Sequence, residues 1–436
     1  MFALSACTEA AAPDPVFFPP CSPALLQASL QPEFCLQTMI DGVVLFSGGL
    51  DSLLTARLLM EQGLNICCLH YVSPFFGSPR SQSRWQKLYG IDVEIADAGQ
   101  QIVDQINNWP DHGFGKVMNP CVDCKIILLR LARERMEELG GKFIATGEVL
   151  GQRPMSQRRD IMNRIMHEAG VDNLLLRPLC ARHLEPTPCE LSGQVDRSRL
   201  LAIHGRGRLD QLALAEQYGF TEIPSPGGGC LLTERENARH YWPLRMHREN
   251  ASVEDYALTG FGRQLWHVAD KTASWMVVAR NNRDNDRLRD AHKDKDLLIG
   301  LSDFPGPLAL LRDGKNWTLD ELQAACSQFL SYAPKAANQR LVRVWLRDKD
   351  GSQEILSVPP DLTRTVFTRP SWEDIKAEKH AIASRKDAEF REQRQKEKEA
   401  RQKEWLERQE HSQAPAGDEA KSCICIQDEK GTSDGN

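Results

Sequence analysis

At 436 residues the chain has room for about two or three domains with sizeable cores, and a net charge of −6 leaves any nucleic-acid surface to be a local patch. Thirteen cysteines, spread through a long chain rich in Glu, Lys and Arg, exclude a small disulfide scaffold and suit a reducing cytoplasm. No apolar run reaches the roughly 18 to 20 residues that span a bilayer, and the N-terminus lacks the positive start of a signal peptide.

Residues 1–38 hold no Lys or Arg, several prolines and no sustained period, which predicts a flexible extension, with Met39 as the functional start. From there apolar runs alternate with helical patterns: strand 43–46, helix 50–62, strand 65–71, helix 82–89, strand 93–96, a helix from Cys121 to about Leu139, and strand 143–146. Such a βαβ series predicts a parallel sheet covered by helices, with ligands beyond the carboxyl ends of its strands. Ser47, the pair His70-Tyr71 and Thr146-Gly147 fall at those ends. Helices are expected at 155–168, 197–204 and 209–218, followed by the turn-rich Pro224-Ser225-Pro226-Gly227-Gly228-Gly229-Cys230. The period fades across 236–257, a linker by this reading. Strands at 264–268, 275–279, 341–346 and 354–358, with helices at 285–291 and 319–330, then predict a smaller α+β domain over 258–370. Residues 373–411 carry 11 basic and 11 acidic side chains, so 371–436 reads as a charged helix or disordered tail.

Ser47-Gly48-Gly49-Leu50-Asp51-Ser52 stands between the strand Val43-Val44-Leu45-Phe46 and a helix. A glycine-rich turn there aims backbone N–H groups and the positive helix end at one point, where a phosphate fits. Ser47 and Ser52 add hydroxyl donors, and Asp51 would hold a magnesium ion or fix the loop. The plainer alternative is a turn that only joins strand to helix. No Gly-x-x-x-x-Gly-Lys-Ser/Thr occurs, so this is not the common kinase-like phosphate loop.

Cys121-Val122-Asp123-Cys124-Lys125 opens a predicted helix, whose N-terminus and Lys125 should favour thiolates, and Cys230 ends the glycine loop. One Cys-x-x-Cys suits zinc, an iron–sulfur cluster, a redox pair or two unrelated thiols. A fourth zinc ligand is missing. Three cysteines suit a [4Fe–4S] cluster with one open iron, or a relay in which one cysteine holds a persulfide and another resolves it. Arg153, Arg158 and Arg159 are placed to clamp tRNA phosphates or a leaving pyrophosphate, with a solvated helix start as the alternative.

The hexapeptide resembles the PP-loop of ATP pyrophosphatases. Together with Asn119-Pro120-Cys121-x-x-Cys124-Lys125, Phe143-Ile144-Ala145-Thr146-Gly147-Glu148 and Gly227-Gly228-Gly229-Cys230, it resembles the PP-loop tRNA thiouridine synthases, ThiI-like or 2-thiouridylase-like, over residues 39–235. The resemblance implies a doubly wound parallel sheet of the adenine nucleotide alpha hydrolase (HUP) kind. It also implies ATP and Mg2+ held by Ser47 to Ser52, with His70, Thr146 and Gly147 bordering the nucleotide. Asp51, Cys124 and Cys230 would be catalytic, and Cys121, Cys124 and Cys230 would ligate the cluster if one is present. Arg280-Asn281-Asn282-Arg283-Asp284, Asp296-Leu297-Leu298 and Asp303-Phe304-Pro305-Gly306-Pro307 resemble the RNA-binding domain of NFACT proteins, which makes Arg280 and Asn281 RNA contacts.

The expected activity is therefore ATP-dependent sulfur transfer to a tRNA uridine, at the 2- or 4-position. The sulfur would come from a cysteine desulfurase or sulfide, in the cytoplasm, without membrane attachment, and a homodimer is one open assembly. A PP-loop enzyme with an amine nucleophile and a noncatalytic RNA-binding factor are the alternatives.

Overall fold

The computed structural model describes residues 39–412 except 155, 225–228 and 270–271. The expected flexible extension 1–38, Met155, the middle of the glycine loop and the tail with Cys423-Ile424-Cys425 lie outside the described residues. Two compact units divide after Lys376.

The first unit contains two sheets. Strands β1 (Gly42–Leu45), β2 (Ile66–Val72), β3 (Val93–Asp97), β4 (Phe143–Thr146) and β5 (Leu175–Leu176) pair in parallel in the order β3-β2-β1-β4-β5. This is the doubly wound α/β arrangement. Its order reverses between β1 and β4, where such sheets open a crevice at their carboxyl ends. Val44, Phe46, Leu53, Leu59, Trp85, Phe143 and Ala145 share one apolar core. Full burial of a leucine there contributes about 1.5–3 kcal/mol.

A second, antiparallel sheet comprises β6 (Arg263–Ala269), β7 (Thr272–Val278), β8 (Leu297–Leu301), β9 (Ala309–Arg312), β10 (Val342–Arg347) and β11 (Gln353–Val358), in the order β11-β10-β8-β9-β7-β6. The helix Leu319–Leu330 covers it, burying Phe329 and Leu330 against Met276, Leu311 and Val344.

Some elements differ from the sequence reading. The aperiodic stretch after 235 is helical, Arg235–His247 and Val253–Leu258; Pro243 sits inside the first helix and masks its pattern, while Tyr241, Trp242 and Leu244 are buried. The expected helix 197–204 shrinks to a 3-10 turn, Arg197–Arg199. Its remainder is extended, because Leu201 and Ile203 donate backbone bonds of 2.9 Å to Pro178 and Leu179. The helix expected from 155 begins at Arg159, after a turn in which Gly151 has φ +79°. Helix Gly99–Asn107 and strands β8 and β9 were not foreseen.

The charged segment forms one helix, Trp372–Ser412, which runs into the second unit. Among the described residues no helix is long and apolar enough to cross a membrane.

Candidate functional site

The PP-loop follows β1 and opens the helix Leu50–Met60, and no side chain caps that helix start at Gly49. Its first backbone donors are therefore left without a capping side chain, the arrangement in which a helix start accepts an anion. Ser52 Oγ donates to Gly49 O at 2.8 Å and lies 3.3 Å from Ser47 Oγ, so the two hydroxyls brace the turn. Gly48 has φ +75°, and a Cβ there would stand 2.5 Å from Trp85 Cζ2. Gly147 closes the loop from β4, where a Cβ would stand 2.6 Å from the Asp51 carbonyl carbon. Both glycines are required by close approach.

Asp51 faces groups that come from far along the chain. Arg208 Nη2 lies 4.0 Å from its Oδ2. Burial raises the carboxyl's pKa, opposed by Arg208, Arg153, Gln211 and Gln152. Its Oδ1 and the amide atoms of Gln152 and of the fully buried Gln211 make no hydrogen bond of full geometry, although the two amides lie close enough to favour the charged carboxylate. Such a concentration of incompletely satisfied polar atoms is costly and suits a polar or cationic guest. Arg208, Gln152 and Gln211 escaped the sequence reading; the signal present was only a polar run opening a helix.

The loop bearing Cys230 is tied to the segment leading into the cysteine helix, Cys121–Glu138, by Met118 N donating to Leu232 O at 3.1 Å, and to the turn after β2 by Leu231 N donating to Phe75 O at 2.9 Å. Asn119 Nδ2 donates to Cys121 Sγ at 3.2 Å. All three sulfurs share one neighbourhood, since Cys230 and Cys121 each make ionisation of Cys124 harder. Among the described residues no three His, Cys, Asp or Glu side chains are drawn to metal-holding distance.

The expectation of thiolates is corrected. Although part of Cys124 reaches the surface, its thiol is enclosed, and burial pushes its pKa up; burial likewise pushes Cys230 to about 12. Lys125 offsets this only partly, because its ammonium pairs with Glu148. Glu148, buried between Lys125 and Arg177, whose Nε is 3.0 Å away, stays ionised: the two cations outweigh burial and hold its pKa down at about 2.

Other expected site residues have structural partners. His70 is buried, with Nδ1 2.8 Å from Phe46 O while Nε2 accepts from Ser78 N at 2.8 Å; burial lowers its pKa. With both ring nitrogens engaged it supports the PP-loop's approach and offers no nitrogen to a nucleotide. Thr146 Oγ1 donates to Glu148 Oε2 at 3.3 Å. The three arginines after Gly151 do not act alike: Arg153 acts on Asp51 and Cys230, Arg158 pairs with Asp160 at 3.1 Å, and Arg159 donates to His183 O at 2.7 Å. Arg280 Nε pairs with Asp284 at 2.9 Å, and Asn281 Oδ1 caps the helix Asn282–Asp290 by accepting from Asp284 N at 2.9 Å.

A family model described as thiamine biosynthesis protein (ThiI) matches residues 37–185, and one described as NFACT protein RNA binding domain matches residues 262–366. A probable tRNA sulfurtransferase of Methanobrevibacter smithii is 25% identical over 195 residues, 43% of this chain and 44% of that protein. A tRNA-specific 2-thiouridylase MnmA of Magnetococcus marinus is 33% identical over 133 residues, 26% of this chain and 37% of that protein. The chain thus spans less than half the length of these curated relatives. Among solved structures, the U34-tRNA thiolase NcsA from Methanococcus maripaludis with its [4Fe-4S] cluster matches at 19% identity and TM-score 0.26, covering 51% of this chain and 71% of that one. The chain is thus similar to the ThiI family over residues 37–185 and to the RNA binding domain of NFACT proteins over residues 262–366.

Proposed function

We propose that the chain is an ATP-dependent tRNA sulfurtransferase, with a catalytic domain over 39–235, a packed helical connection over 236–257 and an RNA-binding domain over 258–370. The observation that supports this reading is that Arg153 acts on both Asp51 of the PP-loop and Cys230, while the loop of Cys230 is bonded to the segment leading into the cysteine helix.

The uncapped helix start and Ser47 to Ser52 bind the ATP phosphates. A uridine carbonyl oxygen attacks the α-phosphorus and pyrophosphate leaves, so that the oxygen becomes part of an adenylate. A sulfur nucleophile then adds to the activated carbon, and AMP departs with the original oxygen. Arg208 and Arg153 stabilise charge on the leaving pyrophosphate. The Oδ1 of Asp51, which makes no hydrogen bond of full geometry, suits magnesium, which when bound neutralises phosphate charge. Cys121, Cys124 and Cys230, which share one neighbourhood without standing at metal-holding distance, would be the residues to hold a [4Fe–4S] cluster, and that cluster would supply iron to bind hydrosulfide. In a relay, the alternative source of sulfur, a persulfide on one cysteine is resolved by the other as a disulfide that an external thiol reduces.

The test is anaerobic incubation of the full chain with ATP, unmodified tRNA and sulfide, reading pyrophosphate release, thiolated nucleosides by mass spectrometry and bound iron. The expected result is tRNA-dependent pyrophosphate release, one thiolated uridine and about four irons per chain, with iron lost when Cys121, Cys124 or Cys230 becomes Ser. Iron-free protein fully active with a persulfide donor overturns the cluster. Turnover with an amine and no thiolated product overturns the sulfurtransferase.

A further inference from the structure

The two faces of the antiparallel sheet are covered differently. The helix Leu319–Leu330 packs against one of them. On the other, the half made by β6, β7 and β9 is closed. Trp266 and Trp275 are buried there, stacked with centroids 5.1 Å apart, and the helix Val253–Leu258 reaches the same face: Leu258 O accepts from Gln264 Nε2 at 3.3 Å, and Asp255 Oδ1 stands 3.3 Å from Arg312 Nε. The half made by β10 and β11 stays open to solvent. Along β10, Val342, Val344 and Leu346 are buried, Arg343 and Arg347 are exposed, and Trp345 between them is half-buried. Ile355 of β11 lies opposite Trp345 and is 52% exposed.

Trp345 is held as a platform. It pairs with Gly300 of β8, where a Cβ would stand 2.6 Å from Trp345 Cε2, so the indole lies over backbone that only glycine leaves bare. Its Nε1 donates to Leu301 O at 3.0 Å, which fixes the ring. The Arg347 guanidinium stands 4.6 Å from the ring centroid, and its Nη2 donates to Gln353 Oε1 at 2.7 Å. Arg343 is tied to Asp303, Nε to Oδ1 at 3.1 Å, and Asp348 of the hairpin takes Lys315 at 3.4 Å. Among the described residues no carboxylate pairs with Arg347, so the charge left on this face is positive. Its apolar part on β10 and β11 is only Trp345 and Ile355, too small a patch to seat a protein helix and about the size of one base.

We propose that Trp345 and Arg347 form a stacking site for one unpaired base of an RNA strand, with the remaining N–H groups of Arg347 on the neighbouring phosphate. The inference rests on the RNA reading above and deepens it. Arg280 and Asn281, the contacts expected from the sequence, are engaged by Asp284 and in a helix cap, whereas Arg347 keeps donors beyond the one that Gln353 takes. An aromatic ring on an open sheet face, with a guanidinium stacked on it, accepts the π-face of any base, and only an unpaired base presents that face. The site therefore selects a loop or single strand over a duplex.

The test is filter binding of an unmodified tRNA transcript to the full chain at several salt concentrations, with a loop-free RNA duplex of equal charge as competitor. Wild type is compared with Trp345→Leu, Trp345→Phe and Arg347→Gln. Trp345→Leu is expected to weaken binding about 5- to 100-fold at an unchanged salt slope, and Trp345→Phe to keep most of the affinity. Arg347→Gln should weaken binding several-fold and lower the magnitude of the log–log salt slope by about 0.7, while ATP binding stays at the wild-type value. Because Arg347 is exposed, its variant decides the matter even if Trp345→Leu melts early. Wild-type affinity and slope in Arg347→Gln, or wild-type affinity in a folded Trp345→Leu, overturn the stacking site while leaving tRNA binding intact. A duplex that competes as well as the tRNA transcript also overturns it, since it offers no base to stack. A wild type that binds no RNA overturns both readings.

Discussion

Arg208 Nη2 stands 4.0 Å from Asp51 Oδ2, although 157 positions separate the two in the chain. The PP-loop carboxylate is thus held by a helix that the loop itself does not specify, and it remains under strain, since burial still raises its pKa.

That strain has a sign. A carboxyl whose pKa is raised in the folded state destabilises the fold increasingly as pH climbs through that value, and has no such effect below about pH 4, where both states are protonated. Asp51→Asn should therefore melt at or above the wild-type temperature at pH 7.5 and match it near pH 4. Pyrophosphate release should fall by about 100-fold or more. Calorimetry across pH beside a pyrophosphate assay checks both; a variant that melts lower and keeps full turnover contradicts the role.

Gly48 and Trp85 form a second testable pair. Gly48→Ala brings a Cβ to 2.5 Å from Trp85 Cζ2 at a φ of +75°, so it should lose ATP affinity and cost about 1–3 kcal/mol. Trp85→Leu vacates part of that space, and the double variant should be less destabilised than the two singles combined, by about 0.5 kcal/mol or more. Denaturant titrations of all four proteins measure the coupling. Strict additivity would mean that the indole is not what forbids a side chain.

His112 lies 3.1 Å from Asp123 Oδ1 and 3.2 Å from Glu168 Oε1 through its two ring nitrogens. Burial disfavours its charge, yet the two carboxylates prevail and its pKa is raised. The stabilisation is fully present below the ordinary histidine value of about 6.5 and is lost as pH rises through the folded value. Wild-type protein should accordingly lose melting temperature just above pH 6.5, and His112→Gln should flatten that part of the curve. An identical pH profile in the variant would remove His112 from the account.

What could be read from the sequence was local. The PP-loop lies within six residues between a strand and a helix, and Cys121 and Cys124 within four, so periodicity and spacing exposed them together with the parallel sheet. Gln211, Gln152 and Arg208 reach Asp51 only because β4 is laid beside β1 and the helix Leu209–Gln217 against the helix Leu50–Met60, and nothing in their own neighbourhoods marks them. The helix containing Pro243 was hidden by a residue that ordinarily ends helices, and β8 and β9 by the Asp, Pro and Gly residues around them. The state of the thiols was misjudged because a helix start and a neighbouring lysine are visible in sequence, whereas the enclosure of Cys124 and the diversion of Lys125 to Glu148 are not.

Glu148 lies two residues beyond Thr146, its partner Lys125 follows Cys124 directly, and its other partner, Arg177, follows β5. One buried carboxylate thus ties the turn after β4 to the start of the cysteine helix and to the end of β5. Leaving Arg177 buried without it costs about 3–5 kcal/mol, whereas the partly exposed Lys125 loses less. Under the sulfurtransferase proposal, Glu148→Gln would therefore loosen the cysteine helix start and the turn after β4 together, although it touches neither a thiol nor the PP-loop.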